Sequence, residues 1–203
     1  MDEKTAIKQL NELKKLGKNL RLAADGWGAK WETLVATLMS ARTTDARTIP
    51  TAQELFAKFN SIEKLSQASV GSIAKIIRPV NFYKTKARNI SNLAKIIVKQ
   101  YNGEIPMKFE ELVELPGVGR KTANVFLAEY GHETIGVDTH VSYCAHRLGW
   151  TKHKEQHKIE KDLEELFPKR YWGELNWILV RFGQTYKSRR EKNEILDRVK
   201  RIR

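Results

Sequence analysis

The chemistry of this chain is concentrated in the run Glu114-Leu115-Pro116-Gly117-Val118-Gly119-Arg120-Lys121-Thr122-Ala123, set between the helix-prone stretches MKFEELVEL and RKTANVFLAEY. Gly117 and Gly119 flank the apolar Val118, a spacing that allows a tight turn with backbone N–H groups facing outward where the second helix begins. Such a turn can grip a phosphate. The helix N-terminus adds partial positive charge, and glycine lets a nucleic-acid backbone approach with no side chain in the way. Arg120, Lys121 and Thr122 follow immediately and are candidates for further phosphate contacts.

Other chemistries are poorly supported. The single cysteine, Cys144, can form neither an internal disulfide nor, alone, a zinc or iron–sulfur site, and it reads as a small core residue. His153 and His157 have no cysteine or carboxylate spacing that marks a metal site. A net charge of +13 makes nucleic acid the first partner to expect, because a positive field attracts polyanions and speeds their encounter. The charge is spread over both ends, from Lys4, Lys8, Lys14, Lys15, Lys18 and Arg21 to the crowded tail between Lys187 and Arg203.

Apolar residues recur at helical spacing, as in Ile7, Leu10, Leu13 and Leu16 or Leu93, Ile96 and Ile97, while alternating strand patterns are hard to find. Breakers at Gly26, Gly28, Pro50, Pro79, Gly103, Pro106, Pro116, Gly131, Gly149 and Pro168 cut the chain into pieces of helix length. The pattern predicts an all-α protein of about ten helices. Caps are expected at Thr44 or Asp45, at Ser61, and at Asp138 or Thr139. No stretch is apolar enough for a membrane span and the charged N-terminus has no signal-peptide core, so an intracellular protein without membrane contact is expected.

The LPGVG turn resembles the helix-hairpin-helix motif, which also occurs in polymerases, ligases and recombination proteins and by itself indicates only sequence-independent DNA binding. More of the chain carries the resemblance. Val137-Asp138-Thr139-His140-Val141, LVATLMSARTTD and NGEIPMKFEELVELPGVGRKTANV together resemble the endonuclease III type of helix-hairpin-helix DNA glycosylase, from about Trp31 to about Gly183. The resemblance implies a two-domain all-α fold with the DNA cleft and active site between the domains. Residues 26–131 would form a helical-barrel domain carrying the hairpin at about 112–130, and residues 1–25 plus 132–203 a second domain from both chain ends. A monomer is expected.

By this resemblance Lys121 and Asp138 are the catalytic pair. A neutral lysine amine can attack the sugar C1′ as a damaged base leaves, giving an imine that permits β-elimination of the 3′ phosphate. Asp138 can stabilise the cationic sugar and shuttle protons, although its residue type equally suits a plain helix N-cap. A base inside a duplex must be extruded and its place filled. Arg42, in SARTTD, stands where the family's plugging glutamine is usual, and Phe82, in NFYKTKARNI, where its leucine wedge is usual; the alternatives are a surface arginine and a core phenylalanine. His140 is a candidate phosphate contact or a capping or packing histidine. The carbonyls of Val113, Leu115 and Val118 are, by resemblance to the superfamily, candidate ligands of an alkali ion.

The largest departure from the family lies in RFGQTYKSRREKNEILDRVKRIR, which has none of the cysteines that usually hold an iron–sulfur cluster there, so the cluster is expected to be absent and no cofactor required. The expected function is removal of oxidised or damaged pyrimidines from double-stranded DNA, with strand cleavage at the resulting abasic site. A monofunctional uracil or thymine mismatch glycosylase is the nearest alternative, weakened by Lys121. A non-catalytic hairpin DNA-binding protein would leave the VDTH and wedge segments unexplained.

Overall fold

The computed structural model describes every residue from Met1 to Arg203 and contains only helices and loops. Its twelve α-helices are α1 (Glu3–Leu16), α2 (Lys30–Ser40), α3 (Asp45–Lys58), α4 (Ile62–Gln67), α5 (Val70–Ile76), α6 (Tyr83–Tyr101), α7 (Phe109–Val113), α8 (Arg120–Glu129), α9 (Thr139–Leu148), α10 (Gln156–Leu166), α11 (Trp172–Thr185) and α12 (Arg189–Lys200), with a 3-10 turn at Lys169–Tyr171. The all-α expectation holds. About ten helices were expected and twelve are present; short ones such as α5, with 7 residues, have too few turns to show a 3.6-residue period. Pro50 does not break the chain but lies inside α3, on an exposed face where the helix tolerates the missing N–H.

The chain divides into two compact units, Arg21–Phe126 and Met1–Leu20 joined with Leu127–Arg203. The divisions fall at Arg21 and Leu127 rather than at 26 and 132, and the second lies within α8. Gly26 and Gly131 both have positive φ and mark turns, but packing and not turning sets the division.

In the Arg21–Phe126 unit, α6 is the central element, with α2, α4 and α5 packed on it and α3 against α2 and α5. The apolar face of α6 presents Ile90, Leu93 and Ile97, all fully buried, and its turns end at Asn102 in the left-handed conformation. Ser61 and Ser69 cap α4 and α5 by accepting from the amides of Lys64 and Ser72, which satisfies N–H groups that such short helices could not otherwise spare. An edge-on aromatic cluster of Trp27, Phe56 and Trp31 closes one end.

The unit of both chain ends has one continuous core, to which α1 contributes Leu10 and Leu13, α9 Val141 and Leu148, α11 Ile178 and Phe182, and α12 Leu196 and Val199. Buried Gln9 on α1 fastens the ends together. Its Oε1 accepts from Trp150 Nε1 at 2.8 Å and its Nε2 donates to the carbonyls of Lys200 and Ile202 at 3.4 Å, occupying acceptors that the end of α12 leaves open. Lys8 Nζ adds a bond to the Arg203 carbonyl at 3.0 Å. On its other side α12 meets α9 through Tyr143 with Asn193 and Arg147 with Asp197. No helix is long and apolar enough to cross a membrane.

Candidate DNA-repair site

The hairpin forms as a turn between α7 and α8. Leu115 N donates to Leu112 O at 3.1 Å, Val118 N to Leu115 O at 3.0 Å, and Ala123 N to Gly119 O at 3.0 Å, the last being the first bond of α8. The two glycines serve different needs. Gly117 has φ +82°, and a Cβ there would lie 2.7 Å from Asn89 Nδ2 and 3.0 Å from Leu38 Cδ1. A Cβ on Gly119 would meet nothing within 4 Å, so its absence opens space on the outer side of the turn. Gly119 also precedes α8 and brings no capping side chain of its own.

Lys121 is the second residue of α8 and is half-buried. Arg120 beside it is exposed, with its guanidinium 4.8 Å from the Phe109 ring centroid. Val118 and Thr122 are buried, and the Val118 amide is already taken by Leu115 O. Val113 is half-buried and Leu115 buried, and Leu115 O already accepts from Val118 N, which leaves one lone pair for any cation.

Asp138 is the N-cap of α9, its Oδ1 accepting from His140 N at 2.8 Å and Val141 N at 2.9 Å. The cap engages only Oδ1 and fixes the carboxylate's direction, leaving Oδ2 for other work. His140 packs its ring against α11 at Gly183, where any side chain would collide with Nδ1. The ring thus has a packing contact on its Nδ1 side while the residue stays half-exposed. The Cys144 thiol is buried in the same helix, and burial pushes its pKa up to about 12.

In the Arg21–Phe126 unit, Arg42 and Phe82 come together. The Arg42 guanidinium lies 4.9 Å from the Phe82 ring centroid. Both residues have left-handed backbone, with φ 56° and 58°, and such positions store about 1–3 kcal/mol each for side chains of this kind. Phe82 is 58% exposed and, apart from Met1, is the one large hydrophobic left in the open, which excludes the core-phenylalanine alternative. Asn81 ties the two loops, donating from Nδ2 to Arg42 O and from its backbone N–H to Thr43 Oγ1 at 3.1 Å.

Sequence reasoning missed Lys86, one turn beyond Phe82. The residue is 6% exposed, and its ammonium donates to Met39 O at 2.6 Å, Ala41 O at 2.7 Å and Thr43 Oγ1 at 3.2 Å. Burial lowers its pKa to about 8. A signal existed: Lys86 shares the helical face of Ile90, Leu93 and Ile97, where a lysine must find buried partners.

Comparison with known proteins agrees with this geometry. Residues 35–169 match the HhH-GPD superfamily of base excision DNA repair proteins. Endonuclease III of Thermotoga maritima is 36% identical over 155 residues, covering 76% of this chain and 73% of the relative. Endonuclease III of Bacillus subtilis is 38% identical over 156 residues, covering 76% and 71%. A structure described as a trapped endonuclease III–DNA covalent intermediate superposes with a TM-score of 0.85 at 31% identity, covering 93% of this chain and 89% of that one. A thermostable thymine-DNA glycosylase shares the fold, with a TM-score of 0.79 at 19% identity over 92% and 91% of the two chains. With residues 35–169, the span that holds the hairpin and the capping aspartate, matched by the family and about three quarters of its length covered by these relatives, the chain belongs to the endonuclease III family of base excision repair DNA glycosylases.

Proposed function

We propose that this glycosylase is bifunctional, excising oxidised or damaged pyrimidines from duplex DNA and then cutting the strand through Lys121. The observation that carries the reading is the place of Lys121, half-buried in the first turn of α8 directly behind the hairpin. A phosphate held by the first-turn amides brings its own sugar within reach of a neighbouring amine. The Lys121 amine forms a bond to C1′ as the bond from C1′ to the base nitrogen breaks and the base leaves with a proton. The aminal so formed opens as the C1′–O4′ bond breaks and O4′ takes the proton that the lysine nitrogen gives up, and the resulting imine acidifies the C2′ proton, whose removal expels the 3′ phosphate. Asp138 Oδ2 balances the positive sugar and relays the protons, while Oδ1 keeps the carboxylate aimed. The trapped covalent complex of the 31% identical endonuclease III supports a covalent route.

Arg42 and Phe82 enter the duplex where the base has left: an exposed, strained aromatic under a guanidinium suits insertion better than any role in the fold. An iron–sulfur cluster does not fit this chain, whose one thiol is sealed in α9 and whose α12 is held by Gln9, Tyr143 and Arg147. The carbonyls of Val113, Leu115 and Val118 are the donors an alkali ion at the hairpin would use.

The deciding experiment is a product gel on duplexes carrying thymine glycol, uracil, oxidised guanine or an abasic site, run with borohydride trapping. Cleavage and a trapped adduct are expected on thymine glycol and on the abasic site, and Lys121→Gln abolishes the adduct. Excision without an adduct identifies a monofunctional enzyme instead.

A further inference from the structure

Three observations in the Arg21–Phe126 unit converge on Lys86. First, strain is concentrated where nothing in the core requires it: Arg42 and Phe82 are left-handed and exposed. Second, the carbonyls around Arg42 form the end of α2, where a helix leaves acceptors unpaired and its dipole is negative, and the Lys86 ammonium takes those of Met39 and Ala41 together with the Thr43 hydroxyl. Third, the backbone N–H of Lys86 donates to Phe82 O at 3.0 Å. One residue thus holds one strained segment by its side chain and the other by its main chain. Burying an ammonium is expensive, and an apolar residue at this point of α6 would serve the core without that expense. What the charge supports is the loop pair.

We propose that Lys86 is a positioning residue that keeps the Arg42 and Phe82 segments in their outward, strained conformations, so that the pair meets the duplex already formed. The proposal rests on the insertion reading above. Preorganisation matters because a loop free to relax would have to recover its strained backbone at each encounter, at the expense of binding energy available to part a base step. Asn81 and Thr43 extend the same brace, and Thr43 Oγ1 accepts from both Lys86 and Asn81.

The test uses the full chain and a duplex with 2-aminopurine opposite a tetrahydrofuran abasic analogue, whose fluorescence rises when the orphan base unstacks. Wild type should raise the signal, and Phe82→Ala should cut the rise sharply while leaving a measurable remainder. Lys86→Met should lower the unstacked fraction about 10-fold, the scale of losing one hydrogen bond to a charged group, while affinity for undamaged duplex, supplied by the hairpin amides, is kept. Thr43→Val, a near-isosteric change, should lower the fraction in the same direction and carries the test if Lys86→Met does not fold. Lys86→Met combined with Phe82→Ala should be no worse than Phe82→Ala alone, because Lys86 acts through that residue. A wild-type response from both Lys86→Met and Thr43→Val, or additive losses in the double variant, overturns the proposal. No rise with wild type overturns the insertion reading itself.

Discussion

Gly117 and Gly119 look equivalent in sequence, yet the structure predicts opposite consequences for replacing each with alanine. At Gly117 an L-residue must adopt φ +82°, at about 1–2 kcal/mol, and its Cβ would press on Asn89 and Leu38 at 2.7–3.0 Å, adding about 1–3 kcal/mol for an overpacked site. The sum is about 2–5 kcal/mol, which for a domain of this size lowers Tm by about 5–15 °C. At Gly119 φ is not positive and a Cβ meets nothing, so Gly119→Ala should leave stability within about 0.5 kcal/mol of wild type or raise it slightly through the unfolded chain. Binding should separate the other way. Gly119→Ala places a methyl on the open side of the turn, where the phosphate must come, and should weaken undamaged duplex equally in every sequence. Thermal unfolding by circular dichroism and a fluorescence titration with labelled duplex measure the two effects. A stable Gly119→Ala that binds like wild type would refute the argument that the open face of the hairpin is the phosphate seat.

Asp138→Asn should keep the α9 cap, since asparagine caps as well as aspartate, and so hold Tm near wild type while base excision falls at least ~100-fold; Asp138→Ala should lose about 1 kcal/mol as well. A well-capped Asn variant with full activity removes Asp138 from the chemistry. Lys86 has its pKa lowered from 10.5 to about 8, so between those values the unfolded chain holds a proton that the native one has released. Stability from this site therefore rises as pH climbs from about 8 to about 10.5, by at most a few kcal/mol, and Lys86→Met should flatten that part of the wild-type curve in denaturant titrations; an unchanged slope contradicts it. Cys144, with its thiol raised to about 12 and buried, should resist maleimide in the native protein and react only on unfolding, and the purified protein should contain no stoichiometric iron.

What the sequence determined by itself is what depends on neighbours along the chain. The helical period of Leu10 and Leu13 set the class, the Gly-Val-Gly spacing set the hairpin, and an aspartate before an apolar run set the α9 cap, because each is a local property of backbone and side chain. The short helix α5 was not legible, since too few turns repeat, whereas α4 and α7 showed only through the Ser61 cap and the run MKFEELVEL. Tertiary structure decided the rest. Only packing distinguishes Gly117, pressed on Asn89 and Leu38, from Gly119, which faces open space, and only packing turns His140 toward Gly183. The brace of Lys86 joins residues 43 to 47 positions apart, and the bonds of Gln9 reach from α1 to carbonyls more than 190 positions away. A buried polar group must find a partner, and sequence announces that need through a lysine on an apolar helix face. Which carbonyls answer is settled when the chain folds back on itself.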